Sequence, residues 1–286
     1  MTTNKSAIIK AKTGRLFARL FLIGALVVSM YPVFWNIYSS FKTNEEFLGN
    51  PFSLPRGLHF ENYINVFTHP QSNIPTNFLN SLYVVGITIL VLVVCVIPCA
   101  YILARYKFPG SRLIELTFMA AIFIQGAYIM APVFRIFNTM GWRNMLTPIG
   151  VVYAVTQFPF SVFLLTGFMR GIPRDYEEAA MIDGCSNFGI LTRVIVPMSK
   201  PSIITVGMLS ALAAWNEYPL ALVLLNQPDK QTLPVGMAIF AEVMTFRTDW
   251  GALFAALVIV LIPTIILYAI GQKYLIQGIS AGGIKG

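Results

Sequence analysis

The chain has 286 residues, of which 56% are hydrophobic and only 11% are charged. Its mean hydropathy of +0.70 excludes an ordinary soluble protein and indicates that most of the chain has the bilayer as its solvent. The net charge of +8 comes without the aromatic and basic pattern typical of nucleic-acid binding, so it predicts contact with anionic membrane lipid and no nucleic-acid partner.

Six apolar runs predict six transmembrane helices, because about 20 apolar residues cross the hydrocarbon core. The predicted spans are at about 16–41, 77–104, 113–137, 145–169, 201–226 and 250–275. The expected fold class is therefore an all-α membrane protein, with a single transmembrane domain over residues 1–286. An even number of spans puts both termini on one side of the membrane.

The orientation follows from the lysines and arginines. With the N-terminus in the cytoplasm, fourteen of the twenty lie inside, in agreement with the positive-inside rule. Both termini are then cytoplasmic. The six outside residues are Lys42, Arg56, Arg135, Arg143, Lys230 and Arg247.

No residues of the sequence suggest catalysis, a metal site or a bound nucleotide. Cys95 and Cys99 lie one turn apart in the second span, Cys185 lies in a polar segment, and the two histidines, His59 and His69, are distant from them. This is too few ligands on one side of the membrane for a metal, and the cysteines are more simply small packing residues. No Gly-Lys pair occurs, so a phosphate-binding loop is absent. If ATP drives this protein, another chain hydrolyses it.

A polar segment of about thirty residues, 170–200, separates the fourth and fifth spans. Pro173 suits the first turn of a helix, and acidic residues from Asp175 onward suit its positive end. The pattern predicts a helix to about Asp183, a turn with positive φ at Gly184, and a second short helix ended by Pro197.

The two short helices present apolar residues from a polar base, at Ala179, Ala180, Met181, Ile182 and Phe188. Such an apolar surface is suited to rigid docking against another protein. The alternative is an amphipathic hairpin that merely links two spans, since charged first turns and a glycine stop occur in many loops.

The spacing of this segment favours docking. Glu178-Ala179-Ala180 is followed by three residues, Gly184, nine residues and Val194-Ile195-Val196-Pro197. This resembles the Glu-Ala-Ala signature of the inner-membrane permease subunits of ATP-binding-cassette importers, although Val194 and Val196 stand where Ile and Leu are usual.

Further motifs resemble the carbohydrate-uptake permeases of the MalG type, over almost the whole chain. These motifs are Ile182-Asp183-Gly184, Pro201, the run 77–82 (NFLNSL), the run 215–218 (WNEY), the run 232–236 (TLPVG) and the ending 281–286 (AGGIKG).

The resemblance implies a six-span subunit with the type I permease fold of these importers, in the cytoplasmic membrane of a bacterium or archaeon. It would form half of the path for a sugar or oligosaccharide, beside a MalF-like permease, two ATPase subunits that hold ATP and magnesium, and an extracytoplasmic sugar-binding protein. The C-terminal tail, 277–286, would touch the ATPase. The residues implied to couple to the ATPase are Glu178, Ala179, Ala180, Met181, Ile182, Asp183, Gly184 and Pro197.

The last outside loop, 227–249, is implied to contact the binding protein. It mixes charges with aromatic rings, which is usual for a specific, transient interface. The candidate contacts are Asp229, Lys230, Gln231, Phe240 and Phe246.

A sugar path needs polar groups for the hydroxyls and aromatic faces for the ring. Each candidate could equally hold helices together or lie in the interfacial belt. The candidates are Gln125, Tyr128, Gln157, Asn216, Glu217 and Tyr218.

Two other classes of protein are alternatives. An ion-coupled secondary sugar transporter would carry ionisable groups near the membrane centre, and only Glu217 is a strong candidate. A membrane-embedded enzyme would need a nucleophile or metal set, which two histidines and scattered acids do not supply. The sequence favours a transport subunit.

Overall fold

The computed structural model describes residues 3–68, 73–124 and 126–282, and the side chains within these ranges other than those of 3–13, 247 and 274–282. The described chain is helical and contains no β-strand. The helices are α1 (Thr3–Ser39), α2 (Asn44–Gly49), α3 (Glu61–Thr68), α4 (Ile74–Arg105), α5 (Ser111–Ala121), α6 (Gly126–Met140), α7 (Leu146–Arg170), α8 (Asp175–Ile182), α9 (Asn187–Ile190), α10 (Val196–Met198), α11 (Lys200–Trp215), α12 (Pro219–Leu224), α13 (Leu233–Arg247) and α14 (Trp250–Gly282).

Four helices are long and apolar enough to cross a membrane. They are Gly14–Ser39 of α1, Ile74–Arg105, Leu146–Arg170 and Trp250–Lys273 of α14. Two bent pairs of helices also qualify if each pair is counted as one span, which gives up to six. The pairs are Ser111–Ala121 with Gly126–Met140, and Asn187–Met198 with Lys200–Trp215. The predicted tail 277–286 is helical as far as Gly282, and residues 283–286 lie outside the described chain.

The third span was expected as one helix over 113–137, and the structure divides it. α5 ends at Ala121, where the N–H groups of Phe123 and Ile124 turn back to Ala120 O and Ala121 O at 3.2 and 3.0 Å. Tight bonds of this kind satisfy carbonyls that have no partner in the next turn of a helix. α6 then starts at Gly126, a residue that weakens a helix interior.

The fifth span, expected over 201–226, is also divided. α11 ends at Trp215 and α12 begins at Pro219, with residues 216–218 outside any helix. The pyrrolidine ring of Pro219 disfavours the helical conformation at Tyr218, which explains the position of the break.

The prediction that Pro197 ends the second short helix is wrong. A π-helical turn, Leu191–Ile195, follows α9, and the N–H of Val196 donates to Leu191 O. Pro197 therefore falls in the first turn of α10, where no helical donor is required. The helical axis bends by 76° only afterwards, between residues 187–198 and 200–215.

The chain divides into two compact units. One consists of Met1–Pro70 with Phe240–Ile259, and the other of Gln71–Ile239 with Val260–Gly286.

The first unit is organised around Trp35 and Lys42. The Trp35 ring meets Phe254 edge-on at 5.0 Å, and its indole N–H donates to Pro51 O at 3.0 Å. Lys42 is fully buried, and its Nζ donates to Pro51 O at 2.8 Å. Loss of hydration lowers the pKa of Lys42, and the nearby Glu46 carboxylate opposes that effect. Lys42, counted from the sequence as an outside charge, is therefore a structural cation.

The second unit is centred on the packing of α4 against α7. Thr88 Oγ1 donates to Gly150 O at 3.1 Å. A Cβ on Gly150 would lie 2.8 Å from the Ile87 side chain and 3.0 Å from Val84 O, so only glycine permits this approach. Small residues at such crossings are typical of helices packed in membranes.

α4 also contains Pro98. Because proline has no N–H, residue 98 cannot donate to the carbonyl of Val94, and one helical hydrogen bond is missing from the interior of the span.

The close approach at Gly150 predicts that Gly150→Ala destabilises the protein. The added methyl group must push α7 away from the Val84 backbone, at a cost of about 1–3 kcal/mol. Gly86→Ala is the matched control, because nothing lies within 4 Å of a Cβ at that helical position. Thermal unfolding of the purified protein should show a lower Tm for Gly150→Ala only. Equal Tm values for the two variants would contradict the packing described.

Candidate functional site

The start of α8 is fixed by a buried ion pair. Arg105, the last residue of α4, and Glu177, in the first turn of α8, are each less than a tenth exposed, and Arg105 Nε lies 2.5 Å from Glu177 Oε1. Tyr101 OH donates to Glu177 Oε2 at 3.3 Å, and Arg105 also donates to Ile172 O at 2.9 Å. Residues 101, 105 and 177 are called the anchor below.

A second arginine supports the anchor. A guanidinium nitrogen of Arg174 donates to Arg105 O at 3.0 Å, so it caps the end of α4. The start of α8 is thereby tied twice to α4. Truncation of one member of a buried pair leaves an uncompensated charge, which makes this attachment costly to release.

The end of α8 has the predicted turn. Gly184 has φ +81°, its N–H donates to Met181 O at 3.0 Å, and the N–H of Cys185 donates to Ala180 O at 2.9 Å. These two bonds form a Schellman motif, whose left-handed residue is usually glycine. Ser186 then accepts from the N–H of Gly189 at 3.2 Å and starts α9.

The exposed apolar residues around this turn are Met181, Ile182 and Phe188, at 52%, 87% and 75% exposure. We call these three residues the apolar knob. The sequence had also assigned Ala180 to this surface, but the structure buries it in the core with residues such as Ile190. Ala180 faces the core because it shares a helical face with Glu177, three residues earlier.

The other coupling candidates have different environments. Ala179, Glu178 and Asp183 are exposed on or next to α8, and Pro197 is exposed in α10. Tyr176, which none of the sequence motifs includes, is 52% exposed on the same helix.

At the other end of α4, two of the sequence motifs meet. The Asn80 amide donates to Asp229 O and Gln231 O, each at 2.9 Å, and Ser81 Oγ accepts from the N–H of Leu233 at 2.8 Å. With its amide nitrogen turned toward the loop, Asn77 donates to Pro228 O and Gln231 O at 3.0 and 3.1 Å, an orientation assigned from the hydrogen-bond network. The start of α4 therefore holds the backbone of residues 228–233.

The candidate contacts of the loop 227–249 differ in their exposure. Asp229 and Lys230 are exposed and form an ion pair at 3.5 Å, whereas Gln231 is only 6% exposed. In the other unit, Phe246 is 83% exposed and Phe240 is 2% exposed. Gln231 and Phe240 thus serve the packing of their own units.

Glu217 closes the start of α12. Its Oε1 accepts from the N–H of Leu220 at 2.8 Å, its Oε2 accepts from the N–H of Ala221 at 3.1 Å, and Tyr153 OH also donates to Oε2. A carboxylate with these partners satisfies donors that α12 would otherwise leave open. These contacts support a structural role for Glu217, which is to hold the start of α12.

The remaining path candidates are spread over three helical regions. Asn216 is exposed and Tyr218 half-buried in the break after α11, Gln157 is half-buried in α7, and Tyr128 is 74% exposed in α6. Gln125 lies outside the described residues. Within the described chain, no three His, Cys, Asp or Glu residues are grouped so as to hold a metal ion.

The sequence pattern does not predict the anchor, because it marks Arg105 only as an inside charge and Glu177 only as a first-turn acid. A signal was nevertheless present: Tyr101 and Arg105 are four residues apart and share one face of α4.

The anchor makes a stability prediction. Arg105→Gln and Glu177→Gln should each destabilise the protein by about 3 kcal/mol or more, because each leaves one buried charge unpaired. The double exchange Arg105→Glu with Glu177→Arg should recover part of the loss. Arg170→Gln is the control, since its pair with Glu115 is partly exposed, at 48% and 28% for the two side chains, and worth about 0–1 kcal/mol. Tm and the rate of proteolysis at residues 171–186 report the effect; equal values for all variants would refute the anchor.

Comparisons with known proteins agree with this architecture. The family described as "Binding-protein-dependent transport system inner membrane component" matches residues 6–281. The diacetylchitobiose uptake system permease protein NgcG of Streptomyces coelicolor is 34% identical over 278 residues, which are 96% of this chain and 91% of that protein. The trehalose/maltose transport system permease protein MalG of Thermococcus litoralis is 32% identical over 270 residues, 93% of this chain and 96% of that protein.

A solved structure shares the fold. The chain resembles, with a TM-score of 0.79 and 24% identity, a chain of a bacterial ABC transporter involved in the import of the acidic polysaccharide alginate. The match covers 92% of this chain and 96% of that one. The expected fold class, an all-α membrane protein with the type I importer permease fold, is confirmed, as is the resemblance to MalG-type permeases.

Proposed function

The chain belongs to the family of binding-protein-dependent transport system inner membrane components, and we propose that it forms half of the translocation path for a sugar or oligosaccharide in an ATP-driven importer. The sugar class is supported by the names of its relatives, which are uptake permeases for diacetylchitobiose and for trehalose or maltose. No observation favours an ion-coupled carrier, because Glu217, the acid that such a carrier would need, is used to close α12.

The proposed partners are a MalF-like permease, two ATPase subunits and an extracytoplasmic sugar-binding protein. ATP and magnesium bind the ATPase subunits, and this chain binds no cofactor and catalyses no reaction. One observation carries the proposal: exposed apolar side chains stand on a short helix whose opposite face is locked to the protein by a buried ion pair.

Mechanical coupling requires this combination. Motion of an ATPase reaches the spans only through a contact that does not itself yield. The apolar knob offers an exposed apolar surface that a partner can cover, and the anchor converts its displacement into displacement of α4. α4 in turn packs on α7 through Thr88 and Gly150. The Glu-Ala-Ala segment, Glu178 to Gly184 and on to Pro197, is the proposed docking element.

On the outer face, the proposed contacts to the binding protein are Asp229 and Lys230, with Phe246 in the other unit. Gln231 has a supporting role, since its backbone is held by Asn77 and Asn80. For the sugar path we retain Asn216 and Tyr218 beside the break after α11, together with Gln157 and Tyr128.

Substitutions in the docking element test the proposal. Gly184→Val should keep the protein in the membrane but lower ATPase co-purification or sugar uptake at least about fivefold, because a β-branched residue at φ +81° is strained by roughly 1–2 kcal/mol. Glu178→Lys should act in the same direction, since it reverses a charge at the positive end of α8.

Gly184→Asn is the matched control, because asparagine tolerates the left-handed region and nothing lies within 4 Å of a Cβ at residue 184. Membrane abundance, ATPase co-purification and uptake are measured on the same preparations. Wild-type uptake by Gly184→Val and Glu178→Lys at normal abundance would remove the coupling assignment. Uptake that needs an ion gradient and no ATPase would replace the importer with the ion-coupled carrier.

The proposed orientation places Cys185 in the cytoplasm. Cys185 is half-buried, so in a Cys95→Ala, Cys99→Ala background it should resist a membrane-impermeant thiol reagent in intact cells. It should react in inside-out vesicles stripped of the ATPase. Labelling from outside the cell would invert the topology.

A further inference from the structure

A cavity of about 500 Å³ lies where α4 and α7 end and α5 begins. We call it the basic cavity, because five cationic side chains and a single acidic one line it. These residues are Arg105, Lys107, Arg112, Arg170, Arg174 and Glu115.

The charges of the basic cavity are not balanced. Arg105 is paired with Glu177, and Arg170 with Glu115. The other three cations, Lys107, Arg112 and Arg174, form no ion pair with any residue that the structure describes. An excess of three positive charges therefore faces one concave surface, which favours an anionic occupant.

The start of α5 adds to this preference. Ser111, its first residue, lines the basic cavity, and the first turn of this 11-residue helix contains no acidic residue. The positive end of the helix is thus not neutralised by its own sequence.

An apolar groove adjoins the basic cavity and shares three of its lining residues, Leu103, Glu115 and Arg170. The groove has a volume of about 150 Å³ and runs between α5 and α7. Met119 and Phe163 in its wall are 45% and 51% exposed. Its other lining residues include Phe118, Val162 and Gly167.

We propose that the basic cavity and the adjoining groove bind one anionic phospholipid, with the phosphate among Lys107, Arg112 and Arg174 and an acyl chain against Met119 and Phe163. A free phosphate would leave the groove empty, whereas a phospholipid uses both surfaces. The inference rests on the proposed function only for the leaflet, which is the cytoplasmic one. Basic pockets between transmembrane helices on that side bind such headgroups.

The bound phosphate would also support the coupling element. Arg174 belongs to both features, since it lines the basic cavity and caps α4 at Arg105 O. A headgroup that bridges Arg174 and Arg112 offsets the repulsion between these two cations, which stand at the starts of α8 and α5. The lipid therefore holds together the ends of α4, α5 and α8.

The test is lipid binding by the purified protein with the subunits that co-purify. Native mass spectrometry compares phosphatidylglycerol with phosphatidylcholine in wild type, Lys107→Gln with Arg112→Gln, and Gly167→Leu. Gly167 is suited to block the groove, because nothing lies within 4 Å of its Cβ position. Arg193→Gln with Lys200→Gln is the matched control, since both of these cations are exposed and outside the basic cavity.

Phosphatidylglycerol should bind preferentially, and its affinity should fall about fivefold for each cation removed at 107 and 112. Gly167→Leu should also weaken it, while the control keeps the wild-type affinity. Equal binding of both lipids overturns the proposal. Loss in the charge variants without loss in Gly167→Leu would show a headgroup or free-phosphate site only. Binding seen solely after the ATPase is stripped would make the basic cavity an ATPase contact. Selective lipid binding by a protein that transports no sugar would defeat the proposed function alone.

Discussion

The buried pair between Arg105 and Glu177 is the constraint on which the rest of the described functional architecture depends. Two charges removed from water must stay together, because separating them strands each in a medium that cannot solvate it. Since one charge ends α4 and the other begins α8, the pair converts a connector between spans into a fixed projection. In the proposed coupling, the exposed Met181, Ile182 and Phe188 can pass a force to the spans because the opposite face of α8 is held by this pair.

The sequence was sufficient for features that depend on local chemistry. Hydropathy marks the four helices that are long and apolar enough to cross a membrane. The acidic first turn and Gly184 mark both ends of α8, because these signals act within a few residues. It failed where distant residues decide the structure. The partner of Glu177 lies on another helix, and no signal in the neighbouring sequence predicts that Gln231 and Phe240 are buried. The prediction for Pro197 failed because a π turn, which has no simple sequence pattern, continues the helix into α10. Pro197 then lies in a first turn, where its missing N–H is not needed.

The breaks in the third and fifth spans show a second limit of sequence reasoning. Apolar length measures whether a segment can cross a bilayer, but it does not measure whether the segment stays helical throughout. In the fifth span, Pro219 interrupts the helix and Glu217 supplies the hydrogen bonds that the interruption exposes. The unwound residues 216–218 are tolerated because polar backbone at such a break is partnered from within the protein.

α4 connects both surfaces through which the outside and the inside would be sensed. Its start holds the backbone of residues 228–233, and its end carries the anchor, about 48 Å away along 32 residues. Pro98 omits one hydrogen bond between these ends, yet α4 runs as one helix from Ile74 to Arg105. In the proposed importer, a displacement of either end along the helix axis is therefore carried to the other end through a single continuous element.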